Sequence, residues 1–240
     1  MNRRTFIKTV PAVSIALAGA TSGFAQEASG VAPEIQPIEL PKPEMDGGKS
    51  VLAALKERKT IRNISEEKLP PQVLSNLLWA AFGVNREEGQ GPRGMIGRTA
   101  ASASNSQEID VYVALPEGLY LYEAVLHRLA PVVAGDQRSK VGRGGSRGSR
   151  AMAPVHLIYV VDIARYAGAP FQEPGLKDPE VQKSYYYVDT GLIAGNVYLF
   201  AASQGLAAWF RNCDKDGLAE LLKLRPDQRV LFAQAVGHPA

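Results

Sequence analysis

Apolar residues recur at helical spacing near the start of the folded part of the chain. Four of them stand at positions i, i+3, i+4 and i+7, and they are Leu74, Leu77, Leu78 and Ala81. This pattern, behind two prolines, predicts an amphipathic helix over residues 72–84. Ser50 stands where an N-cap is expected before a shorter helix over residues 51–58. The polar, Gly-rich residues 85–97 are predicted to form a loop.

Alternating and continuous apolar runs predict strands farther along the chain. Residues 109–115 and 119–122 alternate on either side of a Pro-Glu-Gly turn, which predicts a β-hairpin. The run 154–163 is continuously β-branched or aromatic, as expected of a central strand that is buried on both faces. A helix over residues 215–224 and a strand over residues 229–236 complete the pattern. Helices and strands therefore interleave, which predicts an α+β or mixed α/β fold.

Residues 187–204 combine helical character with small side chains. Glycine and alanine recur through this stretch, and Gly205 follows it in a position typical of a C-cap. Three polar residues argue against a membrane span: Asp189, Asn196 and Gln204. We therefore expect a helix buried at the centre of a domain or of a dimer. The tyrosines at 185–187 either line a substrate pocket or pack on the core at the helix start.

The first residues have the layout of an export signal. Arg3 and Arg4 lead into a Phe-Ile pair and a lysine, and a weakly apolar run ends in small residues up to Ala25. The paired arginines favour a twin-arginine signal, which exports proteins already folded, over an ordinary secretory signal with two chance arginines. We therefore predict a signal peptide over residues 1–25, a periplasmic location and an interaction with the twin-arginine export machinery.

The rest of the chain divides into an arm and one domain. Residues 26–49 are rich in proline, glutamate and glycine, which predicts an N-terminal arm or linker. Residues 50–240 are long enough for one domain with a substantial core and too short for two ordinary ones.

Charge and cysteine content exclude several classes of site. The formal net charge of +3 does not call for a nucleic-acid partner. Cys213 is the chain's single cysteine, so we expect no disulfide framework and favour a buried side chain over a reactive thiol. The three histidines are isolated in sequence, which favours core or surface positions over metal ligation. The basic stretch 138–150 lacks aromatic residues and is better interpreted as a solvated loop than as an anion or nucleic-acid site.

Three polar segments could carry chemistry. Arg58, Lys59, Thr60 and Arg62 combine three cations with a hydroxyl, which suits a phosphate group, although such runs are also common on solvated faces. The segment 98–107 is rich in short hydroxyls and amides.

In that second segment, Ser104, Asn105 and Gln107 precede the hairpin, and amides match the alternating donors and acceptors of a heteroaromatic ring. A plain Ser-rich turn is the alternative. The third segment brings Trp209, Phe210 and Arg211 together after the long helix.

Taken in order, five motifs resemble those of the nitroreductase-like flavoprotein family, including its SagB-type dehydrogenase branch. The resemblance extends over residues 50–239. The motifs are Arg58-Lys59-Thr60-Ile61-Arg62, Leu77-Leu78-Trp79-Ala80-Ala81, Ser102-Ala103-Ser104-Asn105-Ser106-Gln107, Ala201-Ala202-Ser203-Gln204-Gly205-Leu206 and Gly237-His238-Pro239.

The resemblance implies a nitroreductase-like fold, with a central, mostly antiparallel sheet flanked by helices, and a bound FMN. It assigns Arg58, Lys59, Thr60 and Arg62 to the phosphate and one edge of the flavin. Ser104, Asn105 and Gln107 are then expected at the flavin ring, and Arg211 at the phosphate.

The resemblance also implies a homodimer and a flavin that passes a hydride through N5 in alternating half-reactions between a small-molecule donor and acceptor. No catalytic acid and no metal site is expected. Two alternatives stay open: a flavin-dependent dehydrogenase of a small molecule or heterocycle, and a non-catalytic exported binding protein with a degenerate flavin pocket.

Overall fold

The structure, a computed structural model, describes residues 35–91, 94–142 and 152–240. The signal peptide predicted over residues 1–25 and most of the predicted basic loop lie outside these ranges. In chain order the elements are β1 (Ile38–Glu39), α1 (Val51–Glu57), α2 (Pro71–Phe82), β2 (Val84–Arg86), β3 (Gly97–Arg98), β4 (Ile109–Leu115), β5 (Gly118–Glu123), β6 (Arg128–Ala134), β7 (Val155–Asp162), α3 (Pro179–Ser203), β8 (Ala207–Arg211), α4 (Lys215–Leu221) and β9 (Gln228–Gly237).

A seven-stranded sheet in the order β1-β6-β5-β4-β7-β9-β8 forms the centre of the fold. Its described neighbours all pair antiparallel. Strand β7 lies inside the sheet and every one of its residues is buried, which confirms the prediction of a central strand. The α+β fold with an antiparallel sheet flanked by helices is confirmed as well.

The two faces of the sheet carry separate apolar clusters. On one face, alternate residues of the central strands pack with α2 and α3, for example Leu157 and Tyr159 with Ile193 and Val197. On the other face, the remaining residues of those strands pack with α4 around Leu218. Cys213 is fully buried within this second cluster, as the sequence predicted. The period-2 alternation of the strands therefore builds two hydrophobic layers from one sheet.

Helix α3 is longer than the sequence predicted. It begins at Pro179, whereas small-residue composition placed its start at residue 187. The Asp178 side chain caps the helix by accepting from the backbone N–H groups of Glu180, at 2.9 Å, and Val181, at 3.4 Å. Proline at the first helical position fits this start. The first two turns are mostly polar, so apolar periodicity could not reveal them, and the tyrosines at 185–187 lie inside the helix.

Several strands have no counterpart in the sequence prediction. Strand β6 contains Pro131 and is only partly buried, so its pattern does not alternate clearly. Strand β8 lies at the edge of the sheet and was interpreted only as a polar and aromatic tail of the preceding helix. The predicted loop 85–97 begins and ends in the short antiparallel pair β2–β3.

Residues 35–49 of the predicted arm lie against the domain. Strand β1 pairs with β6, and the Ser75 hydroxyl donates to the backbone carbonyl of Pro41 at 2.5 Å. His127 Nε2 lies 2.7 Å from that hydroxyl, and His127 Nδ1 lies 3.0 Å from the Tyr122 hydroxyl. Since the serine proton goes to Pro41, Nε2 donates to the serine oxygen. In the neutral imidazole, Nδ1 then accepts from the Tyr122 hydroxyl. Burial favours this form by lowering the pKa of His127.

A buried hydrogen bond links β7, β9 and α3 and can be tested directly. Tyr159 donates to Gln234 Oε1 at 2.6 Å, and Gln234 Nε2 donates to the carbonyl of Ala194 at 3.3 Å. Tyr159→Phe leaves the Gln234 oxygen unpaired, so we expect the free energy of unfolding in urea to fall by about 1–3 kcal/mol. Tyr187→Phe, on the exposed side of α3, is the control and should change it by less than about 0.5 kcal/mol. Equal effects would show that the buried bond contributes nothing.

Candidate functional site

The predicted phosphate segment runs along the outer edge of strand β8. Its backbone is attached there by the N–H of Ile61, which donates to the carbonyl of Ala208 at 3.1 Å. Helix α1 ends at Glu57, so the segment leaves that helix in extended form and Arg58, Lys59 and Arg62 are exposed. The edge of β8 thus fixes where these side chains can point.

Tyr198 of α3 connects the segment to β8. Its phenolic oxygen accepts from the backbone N–H of Phe210 at 2.9 Å and lies 3.1 Å from the Thr60 hydroxyl. The Arg58 guanidinium carbon lies 5.5 Å from the centre of the Tyr198 ring, within the range of a cation–π contact. Thr60 and Arg58 therefore gather around one aromatic side chain.

Trp209 brings two further cations together. Arg62 lies 6.0 Å from the centre of its ring and Arg211 lies 4.9 Å from it. Arg62 belongs to the first predicted segment and Arg211 to the third, so folding joins residues that are far apart in sequence.

Arg211 also faces the buried histidine of β7. Arg211 Nη2 lies 3.5 Å from Nδ1 of His156, and burial together with the charge of Arg211 lowers the pKa of His156 to about 3. A neutral imidazole that accepts on Nδ1 carries its proton on Nε2. Both this Nε2 and the Arg211 Nε are buried and have no hydrogen-bond partner. Both unpaired groups are donors, so the space around His156 and Arg211 lacks a hydrogen-bond acceptor.

The Ser-Asn-Gln segment has an unusual backbone. Ser104, Asn105 and Gln107 all have φ near +50°, in the left-handed region that non-glycine residues seldom adopt. The amides of Asn105 and Gln107 both donate to the carbonyl of Ile96, at 3.3 and 2.9 Å. Gln107 Oε1 accepts from Arg98 Nε at 2.6 Å. Each predicted ring-binding amide thus has part of its hydrogen-bonding capacity used in holding the loop itself.

An open cavity of about 630 Å³ lies beside this segment. Arg98, Asn105, Gln107 and Arg165 contribute polar groups to its lining, and Met95 adds an apolar side chain. Burial lowers the pKa of Arg98, but its hydrogen bond to Gln107 keeps the guanidinium oriented towards the loop. The cavity is large enough for a heteroaromatic ligand.

The two groups of candidate residues lie on opposite sides of α3. Asp189 accepts from the backbone N–H of Ala103, at the start of the polar loop, at 2.8 Å. Tyr198 contacts Thr60, and it follows Asp189 by about two and a half helical turns, so their side chains leave the helix on opposite sides. One chain therefore does not bring its phosphate segment and its polar loop to the same side of the helix.

Several residues at the site were missed by the sequence prediction. Tyr198, His156, Asp189 and Glu108 gave no periodic or motif signal, because each acts through contacts with residues distant in sequence. A polar or aromatic residue inside an otherwise apolar or small-residue stretch is the signal that could have indicated them. Within the described ranges, no group of three acidic, cysteine or histidine side chains could hold a metal ion. The helices of those ranges are all too short or too polar to cross a membrane.

Comparison with known proteins gives consistent matches over the domain. The model of the "Nitroreductase family" matches residues 55–238. A crystal structure described as a nitroreductase from Ralstonia eutropha is 38% identical, with a TM-score of 0.73, over 85% of this chain and 90% of that chain. A protein of Methanocaldococcus jannaschii, also described as a nitroreductase, is 25% identical over 70% of this chain and 82% of its own.

A more distant likeness concerns the fold alone. A chain of the E. coli microcin synthetase McbBCD complex, solved with truncated pro-MccB17 bound, is 18% identical, with a TM-score of 0.61. The match covers 98% of this chain and 84% of that chain.

Proposed function

The chain belongs to the nitroreductase family of oxidoreductases, and we propose that it binds FMN between the arginine segment of one subunit and the polar loop of another. The observation that carries this proposal is the arrangement of Arg58, Thr60 and Arg62 along β8, next to Tyr198 and Trp209.

The donors at this edge fit a phosphate group. Arg58 and Arg62 are exposed, and their guanidinium groups lie over the rings of Tyr198 and Trp209. Their N–H groups can therefore bind an anion. Tyr198 accepts from Phe210, and its own proton is available to be donated to Thr60. Thr60 can then donate its hydroxyl proton outward. Arg211, which contacts Trp209 from another segment, adds a third positive charge near this edge. Ser104, Asn105 and Gln107 offer the amide and hydroxyl groups that suit a flavin ring.

When bound, FMN supplies the redox chemistry, taking a hydride at N5 from a small-molecule donor and passing reducing equivalents to an acceptor. The residues of this chain bind and orient it. Arg58 and Arg62 neutralise the phosphate charge, and the aromatic side chains of Tyr198 and Trp209 hold the guanidinium groups in place.

The position of the two residue groups supports a homodimer. Since they lie on opposite sides of α3 in one chain, a second copy is needed to bring a polar loop to an arginine segment. Helix α3 has an exposed apolar stripe that includes Val188 and Leu192, and α1 adds the exposed Leu52 and Leu55. Burial of such a stripe against a second chain is a common driving force for dimer formation.

The phosphate assignment can be tested by replacing one arginine. Arg58→Ala removes a charge-assisted contact worth about 1.5–3 kcal/mol, so the Kd for FMN should rise about 10- to 100-fold in a flavin fluorescence titration. Arg229→Ala is the control. Arg229 is exposed near the start of β9, whereas β9 pairs with Ala207 at its other end, so this variant should leave the Kd unchanged.

Unchanged affinity in Arg58→Ala would refute the assignment of that residue. A purified wild-type protein that is colourless and cannot be reconstituted with FMN would favour a non-catalytic binding protein.

The two-subunit site predicts that dimerisation and flavin binding are lost together. Leu192→Glu places a charge on the exposed stripe of α3, so we expect a monomer by size-exclusion chromatography with light scattering, and weak FMN binding. Val125→Glu changes an exposed apolar residue on the β5–β6 turn, away from α3, and should remain dimeric. A monomeric wild-type protein that binds FMN tightly would show that one chain completes the site.

Export in folded form is proposed from the sequence of residues 1–25, which lie outside the described residues. Arg3→Lys combined with Arg4→Lys keeps the charge but removes the paired arginines. We expect the double variant to remain in the cytoplasmic fraction, whereas the unmodified chain appears in the periplasmic fraction. Export of the double variant at the normal level would point to an ordinary secretory signal.

A further inference from the structure

Two acidic side chains are buried together behind the polar loop. Glu108, just before β4, is 0% exposed, and Asp189, in the middle of α3, is 5% exposed. The two carboxyl groups interact with each other, one from the start of β4 and one from α3. Tyr166 is buried close to Glu108, and its hydroxyl donates to the backbone carbonyl of Gln182 at 3.3 Å.

Both carboxyl groups hold the polar loop. The Ser106 hydroxyl donates to Glu108 Oε2 at 2.6 Å, and the backbone N–H of Ala103 donates to Asp189 Oδ2 at 2.8 Å. The other oxygen of Glu108, Oε1, is buried without a hydrogen-bond partner. The pair therefore holds the loop at two points on either side of Ser104 and Asn105.

The arginines that contact the polar loop are paired with groups other than Glu108 and Asp189. Arg165 forms ion pairs with Asp110 and Asp162 and donates to the backbone carbonyl of Gln107 at 2.7 Å, and Arg98 donates to the Gln107 side chain. Two buried carboxylates without a cation would each lose hydration and repel each other. Protonation of one of them removes the repulsion and supplies a donor for the other.

The other groups around Asp189 do not supply positive charge. Tyr166 lies in the 3-10 helix Ile163–Gly168, and its pKa is raised by burial and by Glu108. From α3 itself comes Tyr185, whose hydroxyl bonds Glu173, and Glu173 also accepts from Ser104 at 3.4 Å. Burial, followed by the charge of Glu108, raises the pKa of Asp189 to about 7.

We propose that Glu108 and Asp189 share one proton, and that this proton holds residues 103–107 in the conformation that presents Asn105 and Gln107 to the flavin. Asp189 carries the proton and donates it to Glu108, while its Oδ2 continues to accept from Ala103. Glu108 accepts this proton and also the hydroxyl proton of Ser106. Both acidic residues are positioning residues, and the second half of the proposal rests on the proposed function.

The loop needs such support because its backbone is costly. Ser104, Asn105 and Gln107 are held at positive φ, which costs of the order of 1 kcal/mol or more for each non-glycine residue. Loss of the proton would place two negative charges side by side in a buried site. The contacts with Ser106 and Ala103 would then weaken, and the loop could relax.

The shared proton gives protein stability a defined pH dependence that needs no flavin. The pKa of Asp189 is raised from its ordinary value of 3.8 to about 7, so between these values the folded protein holds a proton that the unfolded chain releases. This contribution therefore falls as pH rises from about 4 to about 7, and is constant above. In Asp189→Asn the amide imitates the protonated acid and has no proton to lose.

The test compares the melting temperatures of the apoproteins from pH 5 to pH 9. Asp189→Asn is expected to gain stability relative to wild type as pH rises from 5 to about 7, and to keep that gain without further change up to pH 9. Glu108→Gln should show part of this gain, because the charged neighbour of Asp189 is removed while burial still raises the pKa of Asp189. Glu180→Gln, an exposed acid on the same helix, should follow wild type at every pH. Parallel profiles for all four proteins would overturn the shared proton.

The effect on the loop is measured as the Kd for FMN over the same pH range. For wild type and Glu180→Gln, the Kd should rise by up to about tenfold per pH unit above 7, whereas Asp189→Asn should retain tight binding. Ionisation of the FMN phosphate affects all variants alike. An equal pH dependence of the Kd in wild type and Asp189→Asn would refute the positioning role.

The two proposals fail in different ways. If no variant binds FMN at any pH, the proposed function is wrong, and the melting profiles alone still decide whether the proton is shared. If all variants bind FMN with the same pH dependence and their melting profiles are parallel, the proposed function stands and the shared proton is wrong.

Discussion

Helix α3 packs against the sheet through Ile193, Ala194 and Val197, and this contact sets the position of the candidate residues. The helix carries Asp189 to the start of the polar loop and Tyr198 to the edge of β8. The small side chain of Ala194 lets its backbone carbonyl accept from Gln234 of β9. Because the helix is anchored to the sheet along this face, a shift of α3 would displace both groups of site residues together.

The same helix also keeps the two groups apart. A ligand that contacted Arg58 and Asn105 of a single chain would have to pass around α3, because Tyr198 and Asp189 leave opposite sides of it. The proposed homodimer would resolve this geometry by bringing the polar loop of a second copy to the arginine segment. The exposed apolar stripe of α3 would give that second copy a surface on which to pack.

Much of the fold could be predicted from the sequence, because the buried apolar residues of its core helices and strands recur at regular spacing. Helix α2 and strands β4, β7 and β9 were predicted to within a few residues, and the antiparallel sheet was confirmed. Strands β6 and β8 were missed because edge and partly exposed strands have no clean alternation. The start of α3 was missed because its first turns depend on the Asp178 cap, not on apolar spacing.

The candidate site was less accessible to sequence reasoning. Motifs indicated Arg58, Thr60, Asn105 and Gln107, but they could not show that these residues face different sides of a helix. Pairwise partners such as Tyr198 with Thr60, or Glu108 with Asp189, depend on contacts between distant segments, and single residues of these types carry no spacing signal.

The segment that carries the arginines has a second consequence, because it covers the exposed edge of the sheet. An uncovered edge strand offers unpaired backbone groups to other chains and promotes aggregation. Ile61 occupies a backbone acceptor on β8, and at the other edge β6 contains a proline and is partly covered by β1. The arginine segment thus also protects the folded chain against edge-to-edge association. Because this cover is a bond between backbone atoms of the chain, it needs no ligand.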